Sequence, residues 1–488
     1  MLRPLYVAIV LAGLSGPALA KSDLLTIYQE ALLNSADLAA AEADALARQE
    51  ALPQARAQLL PQIGLGAGAA RERVDIEGVG SDSYSTHYYQ ASLTQPLFRA
   101  DRWFDYQASK SLSEQAQVEF SATQQQLILD VALAYFNVLR ASDNLATARA
   151  EEAAFERQLE QARERFEVGL SARTDVLEAM AGFDTARATR ITATTNLDVS
   201  YQALTRLTNR DHTDLLGMSH NLPVLPPSPA VMQDWVETAA AQNLTLQASR
   251  LAITAAGETL RSSKAGYAPA VDAFVRYSDS YGGPRLGGPG AGAGLGVGAG
   301  AGDSELTQFG VEMTLPLFTG GGTTSRVRES NFRLTQAEQR SEAELRRVVE
   351  RTRNLFRTVT SSVDEVEARR QSIISSKAAA DATQAGYEVG TRNVVDVLDA
   401  QRNLYRAVRD YNDARYNYII DNLNLKQAAG TLSPQDLEDL STWLKADYDP
   451  DRDFIPPFTE AEMQRMTIGN QPPRAEEDEL QRRMRTSF

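Results

Sequence analysis

The sequence contains no cysteine, and this absence excludes several kinds of chemistry. Disulfide bonds, thiol catalysis, cysteine-bound metal sites and a lipid anchor on an N-terminal cysteine all need a thiol. Histidine is scarce too: His87, His212 and His220 are the only three, and none stands in a metalloprotease or other catalytic motif. His220 falls in a connecting segment and His212 lies close to it, and both are expected to be solvated. We therefore predict no enzyme, no metal site and no bound cofactor.

Aromatic residues make up only 7% of the chain, and many of its apolar residues are alanines. Because small side chains let helix axes approach closely, this composition favours long packed helices over a bulky globular core. Clusters of basic residues are also missing, since the formal net charge is −15 and the Lys and Arg residues are interspersed with acids. A nucleic-acid-binding surface needs clustered positive charge, so we predict no nucleic-acid partner.

Beyond the N-terminus, the chain has no run of about 18 apolar residues, so no helix is predicted to cross a membrane. Residues 1–20 have the three parts of a secretory signal peptide. Arg3 supplies the positive charge, residues 5–14 are apolar, and residues 18–20 form a small-x-small cleavage pattern. We predict that residues 1–20 are a signal peptide removed on export; the alternative is an uncleaved anchor helix.

The chain repeats itself at long range, which indicates two halves built on one plan. The segment 95–98 recurs at 315–318, and the segment 166–170 recurs at 387–391. We predict a first structural repeat, a connector, a second structural repeat and a flexible C-terminal tail, which cover residues 21–215, 216–231, 232–445 and 446–488. Within the second repeat, the stretch 282–302 is dominated by Gly, Ala and Pro, and it predicts a flexible outer loop.

Each half is predicted to contain a long helix and a shorter helix joined by a turn. Residues 101–167 contain no proline and no glycine, and a helix of this length would be about 100 Å long. Residues 322–388 are similar, and the shorter helices are predicted at 174–209 and 394–429. Helices of this length must supercoil on each other or on neighbours. In the first long helix, apolar residues recur at helical spacing, at Leu127, Val131, Ala134, Val138, Leu145 and Ala148.

Four segments alternate apolar residues with other residues at the period of β-strands, and they are 63–69, 89–95, 271–278 and 308–315. Strands that face lipid on one side show this alternation, but so does a half-buried sheet in a soluble protein, and both interpretations remain open. Four strands cannot close a transmembrane barrel, which needs about eight. Because open strand edges are costly in lipid, the membrane interpretation requires several copies of the chain.

At the two predicted turns, the sequence resembles the TolC family of outer membrane factors. The segments 166–176 and 387–399 carry the resemblance, 414–418 supports it, and the similarity covers roughly residues 22–445. It implies a mainly α fold with a small membrane β-sheet, in which long antiparallel helical hairpins form a coiled-coil α-barrel. The four strands of each protomer would contribute to a trimeric 12-stranded β-barrel. The expected location is the bacterial outer membrane, with an extension into the periplasm.

The same resemblance implies a passive channel-tunnel without catalytic activity. Channels of this family act as homotrimers in tripartite efflux and type I secretion systems, where they conduct drugs or secreted proteins. The expected partners are a periplasmic adaptor (membrane fusion) protein, an inner-membrane ABC, RND or MFS transporter, and outer membrane lipid. Two alternatives are a periplasmic adaptor, which needs only one helical hairpin, and an exported structural or adhesive rod without pore activity.

The resemblance also implies three sets of functional residues at the turns. Links between the inner and outer hairpins would close a periplasmic gate through Thr174, Asp175, Tyr387 and Arg392. An acidic ring at the entrance would consist of Asp396 and Asp399. The tips that an adaptor contacts would consist of Val168, Gly169, Val389 and Gly390.

The chemistry of these residues fits the implied roles. An arginine and a carboxylate make a charge-assisted hydrogen bond, which a tyrosine hydroxyl can share. Exposed pairs contribute about 1 kcal/mol or less each, so a docking partner could break them. Three copies of Asp396 and Asp399 would favour cations, although acids at a helix start also stabilise the helix itself. Arg392 has the alternative of a solvated turn residue, and Arg173 departs from the family pattern without an assigned role.

Overall fold

The computed structural model describes residues 21–76, 80–282 and 302–459. The predicted signal peptide, the interior of the Gly-rich stretch and residues 460–488 of the predicted tail lie outside the described residues. The described chain is mainly α-helical with one four-stranded sheet, so the predicted combination of long helices and a small sheet is confirmed.

The helices, in chain order, are α1 Leu24–Asn34, α2 Ala36–Gln49, α3 Ala51–Ala57, α4 Ala100–Glu167, α5 Arg173–Thr208, α6 Met232–Gln242, α7 Leu244–Ala265, α8 Gly322–Glu388, α9 Val394–Ala429, α10 Pro434–Ser441 and α11 Pro450–Asp453. The strands are β1 Gln62–Ile76, β2 Gly80–Phe98, β3 Gly217–Met218, β4 Ala270–Gly282, β5 Gly302–Thr314 and β6 Leu444–Lys445. Within the described ranges, no helix has both the length and the apolar character that crossing a bilayer requires.

The two long helices and their shorter partners lie where the sequence predicts them. The apolar stripe predicted on α4 is buried at every position, namely Leu127, Val131, Ala134, Val138, Leu145 and Ala148. Spacings of three and four keep these side chains on one face of the helix. The helix therefore gains its stability from packing along this face, since a helix without partners is only marginally stable in water.

On α8, buried side chains recur every seven residues, and they are Thr352, Val359, Val366, Ile373, Ala380 and Tyr387. A strict repeat of seven keeps one seam of a helix against its neighbours and is the period of left-handed coiled coils. Tyr387 is thus the last member of a packing stripe. This position explains why its ring is buried so close to the end of the helix.

The described chain divides into two compact units, and each combines segments of both predicted repeats. The first unit comprises Met1–Leu38, Gln124–Ala239 and Glu350–Phe488, as far as these are described. The second comprises Ala39–Thr123 and Ala240–Val349, with the same restriction. The predicted repeat and connector boundaries remain predictions.

The second unit contains the antiparallel sheet, with strand order β1-β2-β4-β5. One row across all four strands is apolar, because Ile63 pairs with Leu93, Leu93 with Val275, and Val275 with Phe309. Ile63 is 79% exposed and Phe309 83% exposed. A half-buried soluble sheet would cover such a row, so the uncovered apolar face argues against that interpretation.

In the first unit, β3 and β6 form a two-stranded sheet next to the C-terminal segment 446–459. We expected this segment to belong to a flexible tail, but it is packed. Tyr448 is buried, and Arg370 on α8 donates a hydrogen bond to the carbonyl of Pro457 at 2.8 Å. The expectation was wrong for this stretch because these specific contacts offset its polar, proline-rich composition.

Candidate functional site

The two helical hairpins turn with the same backbone geometry. Gly169 and Gly390 have φ angles of 77° and 79°, in the left-handed region where a side chain is strained. The amide of Leu170 donates to the carbonyl of Arg165 at 2.7 Å, and that of Thr391 donates to Gly386 at 2.8 Å. This is the Schellman pattern, which satisfies the last carbonyls of a helix and stops it.

The two valines that precede these glycines are exposed apolar residues. Val168 is 69% exposed and Val389 is 76% exposed. Most of each side chain faces solvent in the described chain, so both can contact a partner. Their predicted role as adaptor contacts remains a prediction.

After each turn, an acidic residue caps the start of the next helix. In α9, the amide of Asp396 donates to Asn393 Oδ1 at 2.8 Å, and the Asn393 amide donates to Asp396 Oδ2 at 3.5 Å. In α5, the amide of Ala172 donates to Asp175 Oδ2 at 3.3 Å, but alanine has no side-chain oxygen to return the bond. The α9 cap is therefore reciprocal, whereas the α5 cap has only one side-chain bond.

Both predicted entrance acids are ion-paired within the chain. Arg392 Nη1 lies 3.8 Å from Asp396 Oδ2, and Arg402 Nη1 lies 2.5 Å from Asp399 Oδ1. All four side chains are well exposed, at 39% or more, so water screens these pairs. Gly386 makes room for Arg392, because a Cβ there would lie 2.8 Å from Arg392 Cγ.

Tyr387 lies in the apolar cluster that fills the end of the first unit near both turns. The buried members of this cluster are Phe155, Leu159, Ala162, Ala179, Ala186, Tyr387, Val394, Val397 and Leu398. The hydroxyl of Tyr387 is buried and has no hydrogen-bond partner among the described residues. A buried hydroxyl without a hydrogen-bond partner is unfavourable.

The structure does not join the four predicted gate residues within one chain. Over the described ranges, no hydrogen bond or ion pair connects Thr174 or Asp175 with Tyr387 or Arg392. Two other contacts connect the long helices of the hairpins near their ends. Arg165 on α4 reaches Tyr387 on α8, and Gln158 on α4 donates to Gln384 on α8 at 3.0 Å.

The sequence analysis missed a buried polar cluster in the first unit. Arg415 on α9 and Asp143 on α4 are both buried, and Arg415 Nη2 lies 3.4 Å from Asp143 Oδ2. The hydroxyls of Tyr416 and Tyr448 donate to the two oxygens of Asp143 at 2.7 and 2.9 Å. Burial raises the pKa of Asp143, while Arg415 and the two hydroxyls oppose that shift. The paired residues lie far apart in sequence, so no local sequence pattern predicts that they are in contact.

His220 completes this cluster, contrary to the expectation that it is solvated. Arg415 Nη1, which is always a donor, lies 2.7 Å from His220 Nδ1, so Nδ1 must accept. The hydrogen then sits on Nε2, which donates to the carbonyl of Asp453 at 2.7 Å. Burial and the charge of Arg415 lower the pKa of His220 to about 3. His212 was also wrongly expected to be solvated, since its side chain is only 6% exposed.

The family profile described as "Outer membrane efflux protein" matches residues 27–210 and 235–431. The Outer membrane protein TolC of Vibrio cholerae is 38% identical over 448 residues, 91% of this chain and 98% of the relative. The TolC of Escherichia coli is 34% identical over 466 residues, 94% of this chain and 92% of the relative. The Alkaline protease secretion protein AprF of Pseudomonas aeruginosa is 26% identical over 424 residues, 85% and 86% of the two chains.

Solved structures share the fold at low sequence identity. The transmembrane channel CusC aligns with a TM-score of 0.73 and 16% identity, over 84% of this chain and 92% of CusC. The CmeC outer membrane channel of Campylobacter jejuni aligns with a TM-score of 0.71 and 16% identity, over 92% and 98% of the two chains. With a family profile over most of its length and relatives above 30% identity across it, the chain belongs to the outer membrane efflux protein family.

Proposed function

We propose that this outer membrane channel, whose family serves efflux and type I secretion, conducts its cargo passively and closes at the two hairpin turns. The uncovered apolar row of Ile63, Leu93, Val275 and Phe309 is the observation that carries the proposal. Burying a large apolar side chain stabilises a protein by about 1.5–3 kcal/mol. A sheet with such an exposed apolar row is therefore more stable in contact with lipid than in contact with water.

The proposed working form is a homotrimer. Strands β1 and β5 each pair on only one side in the described chain, which leaves one open edge at either end of the sheet. Unpaired backbone groups cost several kcal/mol each in lipid, so edges of neighbouring copies must pair there. The number of copies follows from the family resemblance.

The proposed gate consists of the turns after α4 and α8, with Thr174, Asp175, Tyr387 and Arg392 as its links between hairpins. In the described chain, Asp175 caps its own helix and Arg392 pairs with Asp396 over 3.8 Å. Such exposed contacts contribute about 1 kcal/mol or less and exchange easily. The gate links would therefore form when these contacts exchange between the inner and outer hairpins, and the buried Tyr387 hydroxyl, which has no partner in the described chain, would gain one.

The proposed partner at the turns is a periplasmic adaptor protein that connects the channel to an inner-membrane transporter of the ABC, RND or MFS type. The exposed apolar side chains of Val168 and Val389, beside Gly169 and Gly390, support an adaptor contact. Docking there could break weak links nearby without unfolding a helix. Asp396 and Asp399 would form the acidic ring, which attracts cations at the entrance.

Single-channel recording of the purified protein in a planar bilayer with a salt gradient tests this function. We expect a small, cation-selective conductance, because the resting entrance is closed and acidic. Folded, membrane-inserted protein that shows no conductance would contradict the proposal and favour an exported structural rod.

A further inference from the structure

Arg165 lies at the C-terminal end of α4, and its side chain crosses to the C-terminal end of α8. Its guanidinium carbon lies 4.5 Å from the centroid of the Tyr387 ring. Its Nη1 also donates a hydrogen bond to the carbonyl oxygen of Tyr387 at 3.3 Å. A single side chain thus contacts both the ring and the backbone of a residue on the other hairpin.

Three physical effects favour this contact. A guanidinium over a tyrosine face gains a cation–π attraction. The carbonyls at the end of α8 carry the negative end of the helix dipole, which attracts a cation. Among the described residues no carboxylate forms an ion pair with Arg165, so its guanidinium can face the ring and the carbonyl of Tyr387.

The Tyr387 ring is held in place by packing, because it is the last buried side chain of the seven-residue repeat on α8 and is only 5% exposed. Its hydroxyl takes part in no hydrogen bond of the described chain, so the ring and the carbonyl make the contact. Arg165, by contrast, is only half-buried. The movable half of the pair is therefore Arg165.

We infer that Arg165 is a further positioning residue of the gate, which holds the end of α4 against the end of α8 in the resting turn. This inference rests on the proposed gating function. It adds Arg165 to the Gln158–Gln384 hydrogen bond as a second contact between the two hairpins within one protomer. Loss of the Arg165 contact lets the two hairpins separate and widens the entrance.

The test compares Arg165→Leu with Arg163→Leu in the full-length, membrane-inserted protein. Arg163 is an exposed residue on the same helix and makes none of these contacts, so it controls for loss of one positive charge. We expect Arg165→Leu to raise single-channel conductance severalfold, and Arg163→Leu to leave it unchanged. Arg165→Lys keeps a cation near the ring with a poorer hydrogen-bond geometry and should restore part of the closed state.

Hydrogen exchange of peptides that cover the turns gives a readout independent of conductance. We expect about three- to tenfold faster exchange around residues 165–172 and 386–393 in Arg165→Leu, the fold-change that loss of one such contact gives. Circular dichroism and the amount of assembled protein show that each variant folds. Folded Arg165→Leu that matches Arg163→Leu in both readouts would overturn the inference.

The double variant Tyr387→Phe with Arg392→Ser separates failure of the inference from failure of the gate. If the double variant raises conductance and Arg165→Leu does not, the gate stands and Arg165 has no part in it. If Arg165→Leu raises conductance and the double variant does not, Arg165 is the link and the other assignments are wrong. If neither changes conductance, the gate does not lie at these turns and the inference falls with it.

Discussion

Arg415 and Asp143 face each other in the first unit, with Arg415 Nη2 at 3.4 Å from Asp143 Oδ2 and both side chains at most 2% exposed. Two tyrosine hydroxyls complete the bonding of the carboxylate, and one of them belongs to Tyr448 of the C-terminal segment. The pair thus connects α4, α9 and that segment. An ion pair so deeply buried is stable only while every charge keeps its partners.

Asp143→Leu should destabilise the first unit by about 3–5 kcal/mol, because it leaves the charge of Arg415 buried without a carboxylate. The double variant Asp143→Leu with Arg415→Met should lose less than Asp143→Leu alone, since no unpaired charge remains. Urea unfolding followed by circular dichroism measures both. Equal losses in the single and double variants would show that packing, and not charge, determines stability here.

The His220 ring makes the first unit sensitive to acid. Its pKa is about 3 in the folded state because of burial and Arg415, while an unfolded histidine titrates near its ordinary value of 6.5. Below pH 6.5 the unfolded chain therefore binds a proton that the folded chain does not. This contribution to stability is complete above pH 6.5 and is lost as the pH falls towards 3, at no more than about 1.4 kcal/mol per pH unit.

His220→Gln should make the loss of stability between pH 6.5 and pH 4 shallower, because an amide can replace both hydrogen bonds and does not titrate. His87→Gln, on strand β2, is the control and should keep the slope of the unaltered protein. Urea unfolding midpoints measured across this pH range give the slope for each variant and for the unaltered protein. An unchanged slope in His220→Gln would mean that other titratable groups, such as carboxylates or His212, set the acid sensitivity.

Tyr387→Phe combined with Arg392→Ser should raise single-channel conductance by weakening the closed entrance. The change removes the guanidinium that pairs with Asp396, and it removes the Tyr387 hydroxyl, which has no partner within the described chain and which we assign to the gate. Arg353→Ser, which removes an exposed arginine elsewhere on α8, is the control. Folded channels whose conductance stays at the level of this control would exclude both residues from the gate.

Asp396→Asn with Asp399→Asn should abolish the cation preference of the channel. Asparagine keeps an oxygen that can accept from the Asn393 amide, so the start of α9 stays capped while the charge is removed. The reversal potential in a salt gradient measures the preference, and Asp364→Asn on α8 controls for the loss of an exposed carboxylate away from the entrance. A preference that persists in the double variant would place the selectivity ring elsewhere.

Gly390→Ala should destabilise the second turn by about 1–2 kcal/mol. No atom lies within 4 Å of the added Cβ, so the left-handed φ of 79° alone produces the cost. Gly257→Ala is a useful contrast, because that glycine lies inside α7 with open space around its added Cβ. It should stabilise its helix by about 0.5–1 kcal/mol. Thermal unfolding measures the change in stability of both variants, and hydrogen exchange at the turn measures the local effect of Gly390→Ala. Changes of the same sign and size in the two variants would contradict the role of the φ angle.

Features that depend on local pattern could be predicted from the sequence. The stretch 101–167 lacks helix breakers, and α4 runs through all of it. The turn glycines Gly169 and Gly390 occur in equivalent motifs of the two halves, and both have the left-handed backbone that those motifs need. The candidate site was less predictable, because Asp175 and Arg392 engage their own helices in the described chain, which no motif reveals.

By itself, the sequence determined the helices, the strands and the two turns, because periodicity and glycine act over a few neighbouring residues. It also identified the family, since the motifs at the turns are specific. Only the tertiary structure decided that Arg165 meets Tyr387 and that Asp143 meets Arg415, residues 222 and 272 positions apart. Their burial, bonding and the depressed pKa of His220 depend on which helices pack together, and packing is a property of the folded chain as a whole.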